Sequence, residues 1–196
     1  RPETMLGDTA IAYHPDDEAT LRVAQEEKLL ELWQATRASG HELLLEVIPP
    51  GAPAVRPEVS KGSSQASGSD ASARTDAVVL RAIQRFYNLG LKPEWWKLAP
   101  MQAASWKALA ALIAERDAHC RGVVLLGLNQ PMQRLVEGFA QATHPIVRGF
   151  MVGRTLWGEP CREWLAGTID DAALVERVAG RFAELARAWR ETRTSA

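Results

Sequence analysis

Short apolar runs alternate with longer amphipathic stretches along the chain, five times over. The runs span Thr9–His14, Glu42–Ile48, Trp95–Ala99, Gly122–Leu128 and Ile146–Arg154. Leu43-Leu44-Leu45 and Val123-Val124-Leu125-Leu126 are nearly continuous in apolar character, which predicts strands covered on both faces rather than on one. Between the runs lie helical patterns. Asp16 and Asp17 are placed to cap the first, Leu29, Leu32 and Trp33 give it an apolar stripe, and Gly40 stands where a helix stops. Val79, Ile83, Phe86 and Tyr87 make a second stripe that ends at Gly90. Trp106, Leu109 and Ile113 mark a third helix, and Leu135, Val136 and Phe139 a fourth. Leu174, Val178, Phe182, Leu185 and Trp189 keep helical spacing over four turns in the last and longest. Repeated strand-then-helix units predict an α/β protein with a parallel sheet.

One segment breaks this rhythm. Residues 51–75 are rich in Pro, Ser, Ala and Gly and offer little to bury, so they predict a flexible insertion within one domain spanning residues 1–196. Two architectures then compete, an open doubly wound sheet and a (β/α)8 TIM barrel. No apolar run is followed by G-x-G-x-x-G or G-x-x-x-x-G-K-[ST], the phosphate-binding turns of many open sheets. A full barrel needs about 250 residues, so five units in 196 residues predict its C-terminal five-eighths, consistent with a first residue, Arg1, that is not an initiator Met.

Composition narrows the function. Lys and Arg number 23 against 24 Asp and Glu, for a formal charge of -1, which lacks the cationic excess that nucleic acids or membrane surfaces demand. No apolar run approaches a membrane span and no leader pattern opens the chain. Cys120 and Cys161 stand apart, and no His pair has metal spacing, so neither a disulfide framework nor a metal centre is expected. A cytoplasmic protein without metal or other cofactor is the expectation.

Lys97 is the most informative candidate. Alternation sets Trp95, Lys97 and Ala99 on one strand face and Trp96 and Leu98 on the other. On the inner wall of a barrel a water-poor cavity disfavours ammonium ions in general, and a neutral amine attacks ketones to form a Schiff base. The competing reading is a lysine that snorkels to solvent or pairs with a carboxylate. Glu46, among apolar neighbours in the preceding run, needs a partner, either as a proton shuttle beside Lys97 or as its structural counter-ion. At the last strand's end Gly153 admits close approach of an anion to backbone N–H groups, Arg154 offers a bidentate clamp, and Gly127 supplies the opposite half of a phosphate cradle. Tyr13 and His14 stand where side chains could reach the mouth, although the following Pro15-Asp16-Asp17 also reads as a plain helix start.

Taken as an ordered set, Tyr13-His14-Pro15-Asp16-Asp17, Glu42-Leu43-Leu44-Leu45-Glu46-Val47-Ile48, Trp95-Trp96-Lys97-Leu98, Gly122-Val123-Val124-Leu125-Leu126-Gly127 and Gly149-Phe150-Met151-Val152-Gly153-Arg154 resemble the aldolase-like barrel domain of bifunctional 5-dehydro-2-deoxygluconokinases of inositol catabolism, itself similar to class I tagatose-bisphosphate aldolases. The resemblance runs from about Thr9 to Arg190, apart from the Ser-rich insertion. It implies that Lys97 is the Schiff-base lysine on the barrel's sixth strand, Glu46 the proton-transferring glutamate on the fifth, and Gly153 with Arg154 the phosphate site after the eighth. The implied reaction is cleavage of a phosphorylated keto-sugar, 2-deoxy-5-keto-gluconate 6-phosphate, to dihydroxyacetone phosphate and malonate semialdehyde. The implied partners are a fused or associated sugar kinase and, as an option, further copies of the chain in a homo-oligomer. The chain departs from the class I pattern in two places. Ala99 stands where a carboxylate often follows the lysine, and Gly7–Ala12 carries no second lysine. The alternative function is a non-catalytic accessory barrel attached to the kinase.

Overall fold

Apolar residues two apart in β2 (Leu44–Ile48) show how the sheet is covered. Leu45 and Val47 are buried, while Leu44, Glu46 and Ile48 between them are only half-buried. One face is therefore sealed and the other is partly open, which corrects the two-sided covering expected from the Leu43-Leu44-Leu45 run. The computed structural model describes residues 10–12, 19–48 and 68–194. Tyr13 and His14 lie outside the described residues, as does most of the Ser-rich insertion.

The strands β1 (Ala10–Ala12), β2, β3 (Trp95–Leu98), β4 (Gly122–Leu126) and β5 (Val147–Met151) form one parallel sheet in the order β1-β2-β3-β4-β5. Neighbours in sequence are neighbours in space throughout, so no reversal of strand order, the mark of a doubly wound sheet, occurs among the described strands. Crossovers between parallel strands lay helices against a face of the sheet. Along β3, Trp96 and Leu98 are fully buried on that side, and Trp96 stacks on Phe86 and donates its indole N–H to the Tyr87 hydroxyl at 2.9 Å.

The helices are α1 (Ala19–Ser39), α2 (Gly68–Asn88), α3 (Ala103–Arg116), α4 (Met132–Gln141), α5 (Arg154–Leu165) and α6 (Asp171–Thr194). Most of the expected stripes do the packing: Leu29, Val79, Ile83, Phe86, Tyr87, Trp106, Leu109, Ile113, Leu135 and Phe139 are buried, but of the last helix's stripe Leu185 alone is buried and Phe182 is exposed. Gly40 and Gly90 end α1 and α2 with left-handed φ of +72° and +85°. Each leaves the same bond pair, His41 N–H to Thr36 O and Leu91 N–H to Phe86 O, which closes the last turn and satisfies carbonyls that a helix end otherwise leaves bare.

Two elements differ from the sequence expectation. α2 begins at Gly68, so the final part of the 51–75 segment is helix rather than loop. α5 is a separate helix between β5 and α6 that the sequence expectation does not include, and it holds Gly158 and Pro160, two residues that disfavour helix. It is held from outside its own hydrogen-bond ladder. Arg181 on α6 donates to Thr155 O at 2.9 Å and to Glu159 at 2.8 Å. Farther along α6, Arg193 donates to Ala142 O, Thr143 O and Val147 O and stacks on Trp189, tying the end of α4 to the start of β5. Burial of Cys120, the leading cause, pushes its thiol up to about 11, so it stays protonated in neutral solution.

Candidate active site

Parallel register brings the chemistry together. Lys97 is the register partner of Glu46 on β2 and of Val124 on β4, and Val124 pairs with Gly149 on β5. All four share the sheet face opposite the helices, because Trp96 and Leu98 occupy the helix side of β3. There the Lys97 ammonium nitrogen lies 3.1 Å from Glu46 Oε2, with the two side chains only 10% and 12% exposed. A pair so far from water is tolerated because each charge compensates the other; either alone would cost several kcal/mol, of order 3 to 5.

This pair forms one end of a cavity of about 350 Å³ at the C-terminal edge of the sheet. The other end is built by the β4–α4 and β5–α5 connections, through Gly127, Gly153, Arg154 and Thr155. The three residues expected to make a cradle are thus assembled, and on the same cavity as Lys97 and Glu46. A Cβ at Gly127 would stand 3.0 Å from Val152 Cγ1 and 3.1 Å from Thr155 Oγ1, so the two connections approach as closely as they do because this position has no side chain. Gly153 precedes the first turn of α5, and its carbonyl accepts from Leu156 N–H and Trp157 N–H, which leaves the Arg154 and Thr155 N–H groups without an acceptor among the described residues. An anion beside them would meet unpaired donors and the positive end of the helix dipole.

Sequence reading missed three contributors. Thr155 is buried, yet among the described residues its hydroxyl has no hydrogen-bond partner. A buried hydroxyl left unpaired costs about 1 to 3 kcal/mol and is repaired by a ligand or water that reaches it. Asn129 follows Leu128 through the left-handed region, at φ of 58° and 48°, a conformation that non-glycine residues adopt at a cost. Trp157, one turn into α5, is 44% exposed and also walls the cavity. None of these carries a sequence motif; Thr155 alone gives a faint sign, as a hydroxyl two residues after a glycine at a strand end.

Two of the described histidines serve local structure. His41 Nδ1 meets Ser39 Oγ at 2.9 Å, and His144 Nδ1 accepts the Ile146 N–H at 3.2 Å. Among the described residues no group of three His, Cys, Asp or Glu side chains is arranged to hold a metal ion, and no helix is long and apolar enough to cross a membrane.

Fold and site together define an α/β protein with a lysine–carboxylate pair at the C-terminal edge of a sequentially ordered parallel sheet. The chain belongs to the family described as "Uncharacterized protein conserved in bacteria (DUF2090)", whose model matches residues 2–193. No curated protein matches it.

Proposed function

We propose that the chain carries the later units of a (β/α)8 barrel and a class I, Schiff-base aldolase site. Its substrate would be a phosphorylated keto-sugar, 2-deoxy-5-keto-gluconate 6-phosphate, cleaved to dihydroxyacetone phosphate and malonate semialdehyde. The observation that carries the reading is the Lys97–Glu46 pair facing, across one cavity, the Gly127, Gly153, Arg154 and Thr155 cradle. A ketone at one end and a phosphate at the other match the two kinds of group that line it. The barrel is supported by the unreversed strand order. A short extra helix after a late strand is also a recurring phosphate-binding device of that fold, and α5 begins directly after β5.

In this mechanism the Lys97 ammonium first passes a proton to Glu46, and the amine adds to the substrate ketone. Glu46 returns the proton to the carbinolamine hydroxyl, which leaves as water and gives an iminium ion. Removal of the proton from the β-hydroxyl breaks the carbon–carbon bond, releasing the aldehyde and leaving the electron pair in an enamine on Lys97. Protonation of the enamine carbon and hydrolysis release the ketone and restore the amine. The cradle holds the phosphate so that the ketone carbon lies near the amine.

The same ion pair also favours a second reading, a non-catalytic accessory barrel of a sugar kinase. A lysine held by a carboxylate is a stable structural element, and the chain has Ala99 and no lysine in 7–12 where class I relatives often place charged groups. Borohydride reduction in the presence of the keto-sugar phosphate separates the two. The aldolase reading expects a substrate-dependent mass increase located on Lys97 by peptide mapping. No adduct, together with no cleavage of the keto-sugar phosphate by the unaltered chain, would leave the accessory reading.

A further inference from the structure

Helix α5 borders a second cavity, about 620 Å³ in volume, which adjoins the first through Asn129, Arg154, Thr155 and Trp157 and extends to Glu159, Arg162 and Arg181, residues the aldolase reading does not use. Its walls include Arg154, Thr155, Trp157, Glu159, Arg162 and Arg181, so three guanidinium groups face one carboxylate and the space carries an excess of two positive charges. We propose that the part of this cavity walled by Glu159, Arg162 and Arg181, none of which lines the cavity that holds Lys97, is a binding site for a compact, multiply charged anion of the phosphate type.

Two arginines have unused donors there. Arg162 engages Gly158 O at 3.2 Å through Nε alone, and among the described residues its terminal nitrogens meet no acceptor. Arg181 spends Nη1 on Glu159 and Nη2 on Thr155 O, while its Nε is buried without a partner. The unpartnered Thr155 hydroxyl adds a buried donor shared by both cavities. Guanidinium groups clustered without anions repel one another, and planar forks of this kind suit phosphate oxygens. Glu159 answers part of that field. Its carboxyl is held below the usual range by the hydrogen bond and charge of Arg181, with Arg162 and Arg177 adding to the effect. The wall thus contains its own carboxylate, which an incoming anion must share space with. The proposal does not depend on the chemistry at Lys97, because Arg162, Arg181 and Glu159 do not line that cavity.

The test is isothermal titration of the full chain with inorganic pyrophosphate at low ionic strength. Saturable binding is expected. Arg162→Ala, an exposed position on α5 whose side chain, among the described residues, hydrogen-bonds to a carbonyl of the same helix, should weaken it about tenfold, the equivalent of one charge-assisted contact. Glu159→Gln removes the competing carboxylate and should tighten it, so the two variants move in opposite directions and loss of fold cannot imitate the pattern. Absence of saturable binding overturns the proposal. So does an affinity unchanged in either variant, the result expected if pyrophosphate sits only in the cavity that holds Lys97.

Discussion

At the scale of single residues, the Lys97–Glu46 pair has an energetic signature separate from any catalysis. Both groups are nearly removed from water, so cutting one leaves the other as an uncompensated buried charge. Lys97→Met is expected to cost about 3 kcal/mol in urea unfolding, and Glu46→Leu a similar amount. The double variant should recover most of that loss, because neither charge then remains. Additive losses in the double variant would mean that the two side chains are not energetically coupled. This pair was legible in the sequence to a useful degree. Alternation alone separated Lys97 from Trp96 and Leu98, and an apolar run made Glu46 conspicuous. What could not be read was Thr155, since an orphaned hydroxyl exists only once two distant connections have met around Gly127. The left-handed backbone at Leu128 and Asn129 was equally hidden, as neither residue type announces it.

Among the elements, the clearest coupling joins α2 to the start of α3. The Asp76 carboxylate accepts the Gln102 N–H at 3.0 Å, supplying from a neighbouring helix the cap that α3 lacks in its own sequence. Burial, the largest influence, pushes the Asp76 carboxyl above its ordinary value of 3.8, against the lowering effect of bonds from Gln102 and Ser105. The folded state therefore keeps this proton to higher pH than the unfolded chain does. Across the window from 3.8 to the raised folded value, Asp76 lowers stability as pH rises, and above that window its contribution is constant. Asp76→Asn keeps an acceptor but not the titration. Urea unfolding between pH 3 and 7 should show the parent losing stability relative to the variant as pH increases through this window. A difference that does not vary with pH would refute the assignment. Element existence followed from hydrophobic period, which is why five of the six helices were foreseeable. α5 was not, because Pro160 forfeits a ladder bond and Gly158 weakens helix propensity; contacts from Arg181 on α6 support the helix from outside.

For the whole molecule, the strand order sets a gradient of protection. β3 has a bonded neighbour on each side, whereas β1 is a three-residue strand with β2 as its one neighbour among the described strands. Amide hydrogen exchange is expected to be fastest in Ala10–Ala12 and slowest in β3 and β4, since an edge strand opens without disturbing a second ladder. Uniform protection across all five strands would contradict this. The layered α/β class and the parallel sheet followed from alternating apolar and amphipathic segments. The open state of one sheet face did not, because a strand rich in leucine reads alike whether one or both of its faces are covered.

Sequential order also bears on the route by which the sheet assembles. Leu44 and its partner Trp95 lie roughly twice as far apart along the chain as Trp95 and its partner Gly122. Joining the ends of the longer tether costs about 0.6 kcal/mol more in chain entropy. The β3–β4–β5 portion therefore has the shorter loops to close and is the expected nucleus, and because β1 and β2 are also closer along the chain than β2 and β3, joining β2 to β3 is the costliest closure in the sheet.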